Sequence, residues 1–150
     1  MGTAILAQKQ GFDVWVSDYG IIKDHFKEEL ERYNIAYEEG GHDTAKIWSS
    51  VKIVKSPGIA DTIPLIQTAL EKNIPVVGEI EFAAEYTDAV LIGITGTNGK
   101  TTTTLLTHHI LERAGLQVGL AGNVGYSFAK QVALEQHDYY VLELSSFQLD

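Results

Sequence analysis

Short β-rich apolar runs alternate with helical patterns along the whole of this 150-residue chain. Residues 1–10 are helix-like and stop at Gly11, residues 13–17 (DVWVS) have strand character, and residues 23–33 form a charged amphipathic helix. Residues 35–38 suit a short strand and 51–54 a better one, after which 61–72 is helical, 74–77 a strand and 79–86 a helix. Residues 90–95 form a buried-type strand running into a glycine-rich loop; 100–114 is then a helix, 117–120 a strand, 124–133 a helix and 139–144 a strand. Alternation of this kind predicts an α/β architecture with parallel sheet. The polar turn at Thr87 and Asp88 precedes the strongest strand, so two domains are expected, 1–87 and 88–150.

Doubly wound α/β domains open with a strand whose glycine-rich turn leads into the first helix. This chain opens inside such a helix, and six residues follow the strand that ends in Leu144. It is therefore expected to be a segment of a longer protein, continued at both ends. The first strand of such a sheet is central, so residues 13–17 and 51–54 should flank it. Without it the first half is expected to be more weakly held than residues 90–144.

A hydrophobic content of 45% is ample for a packed core, and 21% charged residues is ordinary for a soluble protein. Eleven basic against twenty acidic residues give a net charge of -9, which argues against a nucleic-acid or membrane-surface binder. Phosphate binding stays open, because backbone amides and one lysine can hold a phosphate within an acidic protein. The absence of cysteine excludes disulfides and thiolate metal sites and fits a reducing cytosol. The longest apolar run, residues 89–94, is far too short to span a bilayer. The first residues lack the basic stretch of a signal peptide and the hydroxyl residue at position 6 of a myristoylation signal. A cytoplasmic location is expected.

Gly96, Thr97, Asn98, Gly99, Lys100 and Thr101 follow a buried strand and open a helix, the context that a phosphate-binding loop requires. Glycines let the backbone curl until its N–H groups converge on phosphate oxygens, and the helix dipole adds positive potential. Lys100 would reach the β- and γ-phosphates and Thr101 would offer its hydroxyl to Mg2+, with Thr102 completing the set. The loop is shorter than the usual G-x-x-x-x-G-K-[ST], since Ile94 stands in place of the first glycine. A plain glycine-rich turn with an exposed lysine is the alternative, disfavoured by the joint presence of strand, loop, Lys-Thr and helix.

Two further segments end strands. Ala121-Gly122-Asn123-Val124-Gly125 lies where active-site loops commonly sit, although a Gly-Asn turn capping the next helix explains it equally well. Glu143-Leu144-Ser145-Ser146-Phe147-Gln148-Leu149 places a carboxylate at a strand end, where hard oxygen suits Mg2+. A turn closing the strand, with Ser145 capping a following helix, fits the spacing just as well. His25, His42, His108, His109 and His137 match no metal-ligand spacing, and most read as surface residues.

The short phosphate loop resembles G-[ST]-x-G-K-[ST]-T, the form found in Mur ligases and the related folylpolyglutamate synthases. The folate enzymes generally follow the lysine with Gly-Ser, whereas Thr101, Thr102, Thr103 and Thr104 follow here, which favours the cell-wall branch. The loop, A-G-N-V-G and E-L-S-S-F-Q-L stand in the order and spacing of the D-glutamate-adding members, of which Phe147, Gln148 and Leu149 are characteristic. The first half matches too, through Ser17-Asp18, Lys55-Ser56-Pro57-Gly58-Ile59 and Gly78-Glu79-Ile80-Glu81-Phe82. Members that add later residues have a different first domain.

The resemblance implies a Rossmann-like, UDP-binding first domain lacking its first strand and uridine glycine loop. The start of a central P-loop-type ATP-binding domain would follow it. It places Asp18 and Tyr19 beside the uridine and Ser56, Pro57 and Gly58 near the uracil and diphosphate. Asn123, Ser145 and Gln148 would contact UDP-N-acetylmuramoyl-L-alanine, while Lys100, Thr101 and Glu143 hold ATP and Mg2+. The implied reaction is ATP-dependent addition of D-glutamate through an acyl phosphate, in peptidoglycan synthesis, with small-molecule substrates and no nucleic-acid or membrane partner. A further histidine and a carbamylated lysine of the family's metal site have no counterpart in this chain, so the segment alone is expected to be inactive. Three rivals stand beside this reading. The L-alanine-adding ligase is disfavoured by Phe147-Gln148-Leu149. A nicotinamide-binding dehydrogenase domain lacks its G-x-G-x-x-G here. The third is an inert nucleotide-binding fragment.

Overall fold

The computed structural model describes residues 1–148, Phe147 by its backbone only, and divides into two compact units, Thr3–Glu79 and the residues from Ile80 on. The first contains α1 (Gly2–Lys9), β1 (Trp15–Asp18), α2 (Asp24–Arg32), β2 (Ala36–Glu39), α3 (Thr44–Ser49), β3 (Ile53–Lys55), α4 (Pro64–Glu71) and β4 (Val76–Gly78). Then come α5 (Glu79–Ala84), β5 (Val90–Ile94), α6 (Lys100–Arg113), β6 (Val118–Gly122), α7 (Phe128–Leu134), β7 (Tyr139–Glu143) and a 3-10 turn at Ser146–Gln148. Every strand pairing is parallel, as strand–helix alternation predicts.

In the first unit β1 pairs with β2, from Trp15 opposite Ala36 to Asp18 opposite Glu39, and β3 pairs with β4, from Ile53 opposite Val76 to Lys55 opposite Gly78. These are two separate two-stranded sheets. Ile5, Leu6, Leu30, Ile35, Ile66 and Ala69 are buried and form its apolar interior. Proline at the first position of α4 costs no hydrogen bond, because that N–H would have no partner within the helix anyway. Helix α3, absent from the sequence expectation, starts where the Asp43 carboxylate accepts from the N–H groups of Ala45 and Lys46. Its Lys46 ammonium lies 4.8 Å from the centroid of the Trp15 ring on β1.

The second unit holds a three-stranded sheet in the order β5-β7-β6. Its central strand supplies Tyr140, Val141 and Leu142, all buried, and Phe128 from α7 meets Tyr140 edge-on with ring centroids 5.0 Å apart. Helix α7 begins at Phe128, later than the apolar spacing suggests, because Ser127 caps it by accepting from the Lys130 N–H. Among the described residues no helix is long and apolar enough to cross a membrane.

Candidate active site

In the second unit Glu143 on the central strand stands opposite Ile94 on one side and Gly122 on the other. Neighbouring strands run about 4.8 Å apart, so these three residues form one short row across the sheet. The ladder goes one step beyond on each side: the Leu144 N–H donates to the Ile94 carbonyl and the Asn123 N–H to the Glu143 carbonyl, both at 2.9 Å. All three candidate segments therefore leave the same carboxyl edge, where ligands collect in parallel α/β sheets.

The phosphate loop occupies residues 95–99 between β5 and α6. Gly99 precedes α6 with φ +75°, a left-handed conformation that glycine adopts without a Cβ penalty. No side chain caps the helix, so its first N–H groups face the loop without a competing carboxylate or hydroxyl. Lys100 turns back over the loop, its ammonium donating to the Gly96 carbonyl at 2.7 Å, while Thr101 and Thr102 are exposed. Cation, helix amides and threonine hydroxyls thus stand at one loop, the donor set that a polyphosphate takes.

Glu143 is only 6% exposed, and its Oε2 has no hydrogen-bond partner. A buried carboxylate oxygen without a donor is costly unless a cation meets it. Hard anionic oxygen is the ligand that Mg2+ prefers, and that ion commonly takes one or two protein ligands together with phosphate oxygens and water. The residues present therefore fit the implied ion, with Glu143 and Thr101 as candidate protein ligands. No group of three His, Cys, Asp or Glu side chains among the described residues is arranged to bind a metal without such help. Thr104, one helical turn past Lys100, is fully buried with an unpartnered hydroxyl as well.

Asn123 is exposed at the end of β6 and does not cap α7, a role that falls to Ser127. Ser145 and Gln148 meet: the Gln148 Oε1 accepts from both the N–H and the hydroxyl of Ser145, each at 2.9 Å. This resembles the reach-back of a capping box around a short turn. Leu149, the end of the F-Q-L signature, lies outside the described residues.

In the first unit Asp18 closes β1 and binds the Gly20 N–H through Oδ1 at 2.8 Å, and Tyr19 is 77% exposed. Ser56, Pro57 and Gly58 form a turn after β3, closed by the Ile59 N–H donating to the Ser56 carbonyl at 2.9 Å. The Lys55 ammonium braces that turn, reaching the Ile59 carbonyl and the Asp61 carboxylate at 2.9 Å each. Asp18 and Ser56 stand at the ends of strands in different two-stranded sheets. Sequence reasoning missed Lys55, Glu38, Glu39 and His42 as loop-holding groups. The paired glutamates at the end of a predicted strand were the available signal.

A family model of the Mur ligase middle domain matches residues 94–150, and one of the MurD N-terminal domain matches residues 3–63. UDP-N-acetylmuramoylalanine–D-glutamate ligase of Porphyromonas gingivalis is 60% identical over 150 residues, covering 100% of this chain and 33% of that protein. The protein of the same name from Bacteroides fragilis is 58% identical over 149 residues, covering 99% of this chain and 34% of the relative. The chain thus spans about a third of the length of the curated relatives it matches. Among solved structures, the UDP-N-acetylmuramate:L-alanyl-γ-D-glutamyl-meso-diaminopimelate ligase from Neisseria meningitides shares 25% identity at a TM-score of 0.57, over 95% of this chain and 48% of that one. UDP-N-acetylmuramate–alanine ligase from Thermotoga maritima, at 21% identity and a TM-score of 0.54 over 96% of this chain and 34% of its own, shares the fold. With each half matched by one of the family's own domains, and more than half of its residues shared with these two relatives from end to end, the chain belongs to the Mur ligase family.

Proposed function

We propose that the protein carrying this chain is an ATP-dependent, ADP-forming ligase that joins D-glutamate to UDP-N-acetylmuramoyl-L-alanine. This is a cytoplasmic step of peptidoglycan synthesis, and hence of cell-wall biogenesis, cell shape and division. The observation that carries the proposal is the row Ile94, Glu143, Gly122, which brings the phosphate loop, a buried unpaired carboxylate and the Asn123 loop to one sheet edge. The names of the relatives, at up to 60% identity, support D-glutamate as the amino acid added.

ATP, bound with Mg2+, would supply the phosphoryl group that turns the substrate carboxylate into an acyl phosphate with release of ADP; the amine of D-glutamate would then attack the acyl carbon and expel inorganic phosphate and a proton to form the amide. Lys100 lies over the phosphate loop and offsets negative charge on the transferring group, and the first amides of α6 hold the remaining phosphate oxygens. Glu143 and the Thr101 hydroxyl would hold the ion. Asn123, Ser145 and Gln148 contact the muramoyl peptide, Asp18 and Tyr19 the uridine, and Ser56, Pro57 and Gly58 the diphosphate end.

ADP release by the intact protein, measured with each substrate omitted in turn, tests this. It should require UDP-N-acetylmuramoyl-L-alanine, D-glutamate and ATP together. Lys100→Ala should lower turnover by on the order of a hundredfold or more, the scale set by removal of one transition-state charge donor. Release that proceeds equally with L-alanine and UDP-N-acetylmuramate, or that survives Lys100→Ala, would sink it.

A further inference from the structure

Two consecutive glutamates at the carboxyl end of β2 hold two different loops. Successive strand side chains point to opposite faces, and Glu38 and Glu39 divide their partners accordingly. Glu38 Oε1 accepts from the Asp43 N–H and from the Ser17 hydroxyl, each at 2.7 Å, which ties the β2–α3 loop to β1. Glu39 accepts from the Ile22 N–H at 3.0 Å and from the Lys27 ammonium at 2.9 Å, which ties down the β1–α2 loop. The Gly40 N–H donates to the Gly20 carbonyl at 2.9 Å and joins the two loops to each other. Asp18 and Tyr19 sit in the rim so formed.

Proton accounting then assigns a histidine. Ser17 Oγ has one proton, which goes to Glu38, yet the same oxygen lies 2.6 Å from His42 Nδ1. His42 must donate there, so in its neutral form the ring presents Nε2 as an acceptor. The His42 ring is 5.9 Å from that of Tyr19, centroid to centroid, and both residues are exposed. The rim carries Asp18, Glu38, Glu39 and Asp43 against Lys23 and, from α2, Lys27. That balance disfavours a diphosphate and suits neutral donors, the hydroxyls of a ribose or the imide N–H of a uracil.

We propose that Glu38 and Glu39 are positioning residues for the nucleoside end of the nucleotide-sugar site, and that His42, oriented through Ser17, is an acceptor for that nucleoside. This rests on the function proposed above. The test is calorimetric titration of the intact protein with uridine diphosphate and, separately, with ATP. Glu38→Ala, Glu39→Ala and His42→Ala should each weaken uridine diphosphate by about tenfold, the scale of one lost hydrogen bond, while ATP affinity stays constant. Glu38→Gln keeps an acceptor oxygen and should restore wild-type affinity, which a purely charge-based role would not allow. Equal uridine diphosphate affinity in all these variants would overturn the positioning role and leave the site standing. Parallel loss of uridine diphosphate and ATP affinity, or a Glu38→Gln variant as weak as Glu38→Ala, would overturn it as well. A wild-type protein that binds ATP but not uridine diphosphate would remove the nucleotide-sugar site itself, and the inference with it.

Discussion

Gly122 shows how a single residue fixes the candidate site. A Cβ built there would lie against the backbone carbonyl oxygen of Glu143, and the residue has φ +96°. The first constraint comes from the close approach of the Asn123 loop to the end of β7, where the Asn123 N–H binds that same carbonyl at 2.9 Å. Gly122 of A-G-N-V-G is thus required twice, by its own left-handed backbone and by the carboxylate strand beside it. Gly122→Ala should cost about 1–3 kcal/mol, the usual range for a side chain forced into such backbone. Because the displaced carbonyl belongs to Glu143, the turnover proposed for the intact protein should fall by more than its folded fraction does. Urea midpoints and turnover measured on the same preparation check this. A variant with wild-type midpoint and rate would show that the sheet edge relaxes freely around the methyl group.

At the scale of elements, the sequence showed the order of helices and parallel strands but blurred their ends. Residues 13–17 have strand character, yet the paired segment is Trp15–Asp18, since pairing starts only where Ala36 faces Trp15. Apolar periodicity suggested a helix from residue 124, but capping by Ser127 starts it at Phe128. Helix α3 was illegible to periodicity, being six residues long, although Asp43 before Thr44 is a capping signal. The phosphate loop was legible because its chemistry is local, whereas the Glu38 and Glu39 contacts join residues up to 21 positions apart and leave no spacing signature. One of these contacts has a pH signature. The hydrogen bond from Lys27, then that from the Ile22 N–H, holds the Glu39 carboxyl below its ordinary value of 4.5, and the hydrogen bond to Glu39 raises Lys27 above 10.5. A depressed carboxylate contributes stability above its unfolded pKa and loses it as pH falls through the folded one; a raised amine contributes below its unfolded pKa and loses it as pH rises through the folded one. The stability gap between wild type and Lys27→Met should therefore be flat across neutral pH, shrink below about 4.5 and shrink again above about 10.5. Urea midpoints of both proteins from pH 3 to 11 would show it, and a gap that widened in acid would contradict the assignment.

Across the whole molecule the two units differ in how their strands are held. Strand β7 has a partner on both sides over all five of its residues, and Tyr140, Val141 and Leu142 within it are 2% exposed or less. Among the described residues β1 and β3 each pair on one side only, over four and three residues. A strand with one free edge leaves half of its backbone groups to water, and it opens without breaking a second ladder. Native-state hydrogen exchange on the 150-residue chain resolves the difference. Amides of β7 should exchange at least on the order of a hundredfold more slowly than those of β1 and β3, because they open only with the body of their unit. The amides of β2 and β4, each paired on one side as well, should follow β1 and β3 rather than β7. Protection of β1 and β3 equal to that of β7 in a dilute monomer would mean that the two short sheets are held by more than their own ladders. The contrast between a doubly paired strand and singly paired ones would then not govern the stability of this chain.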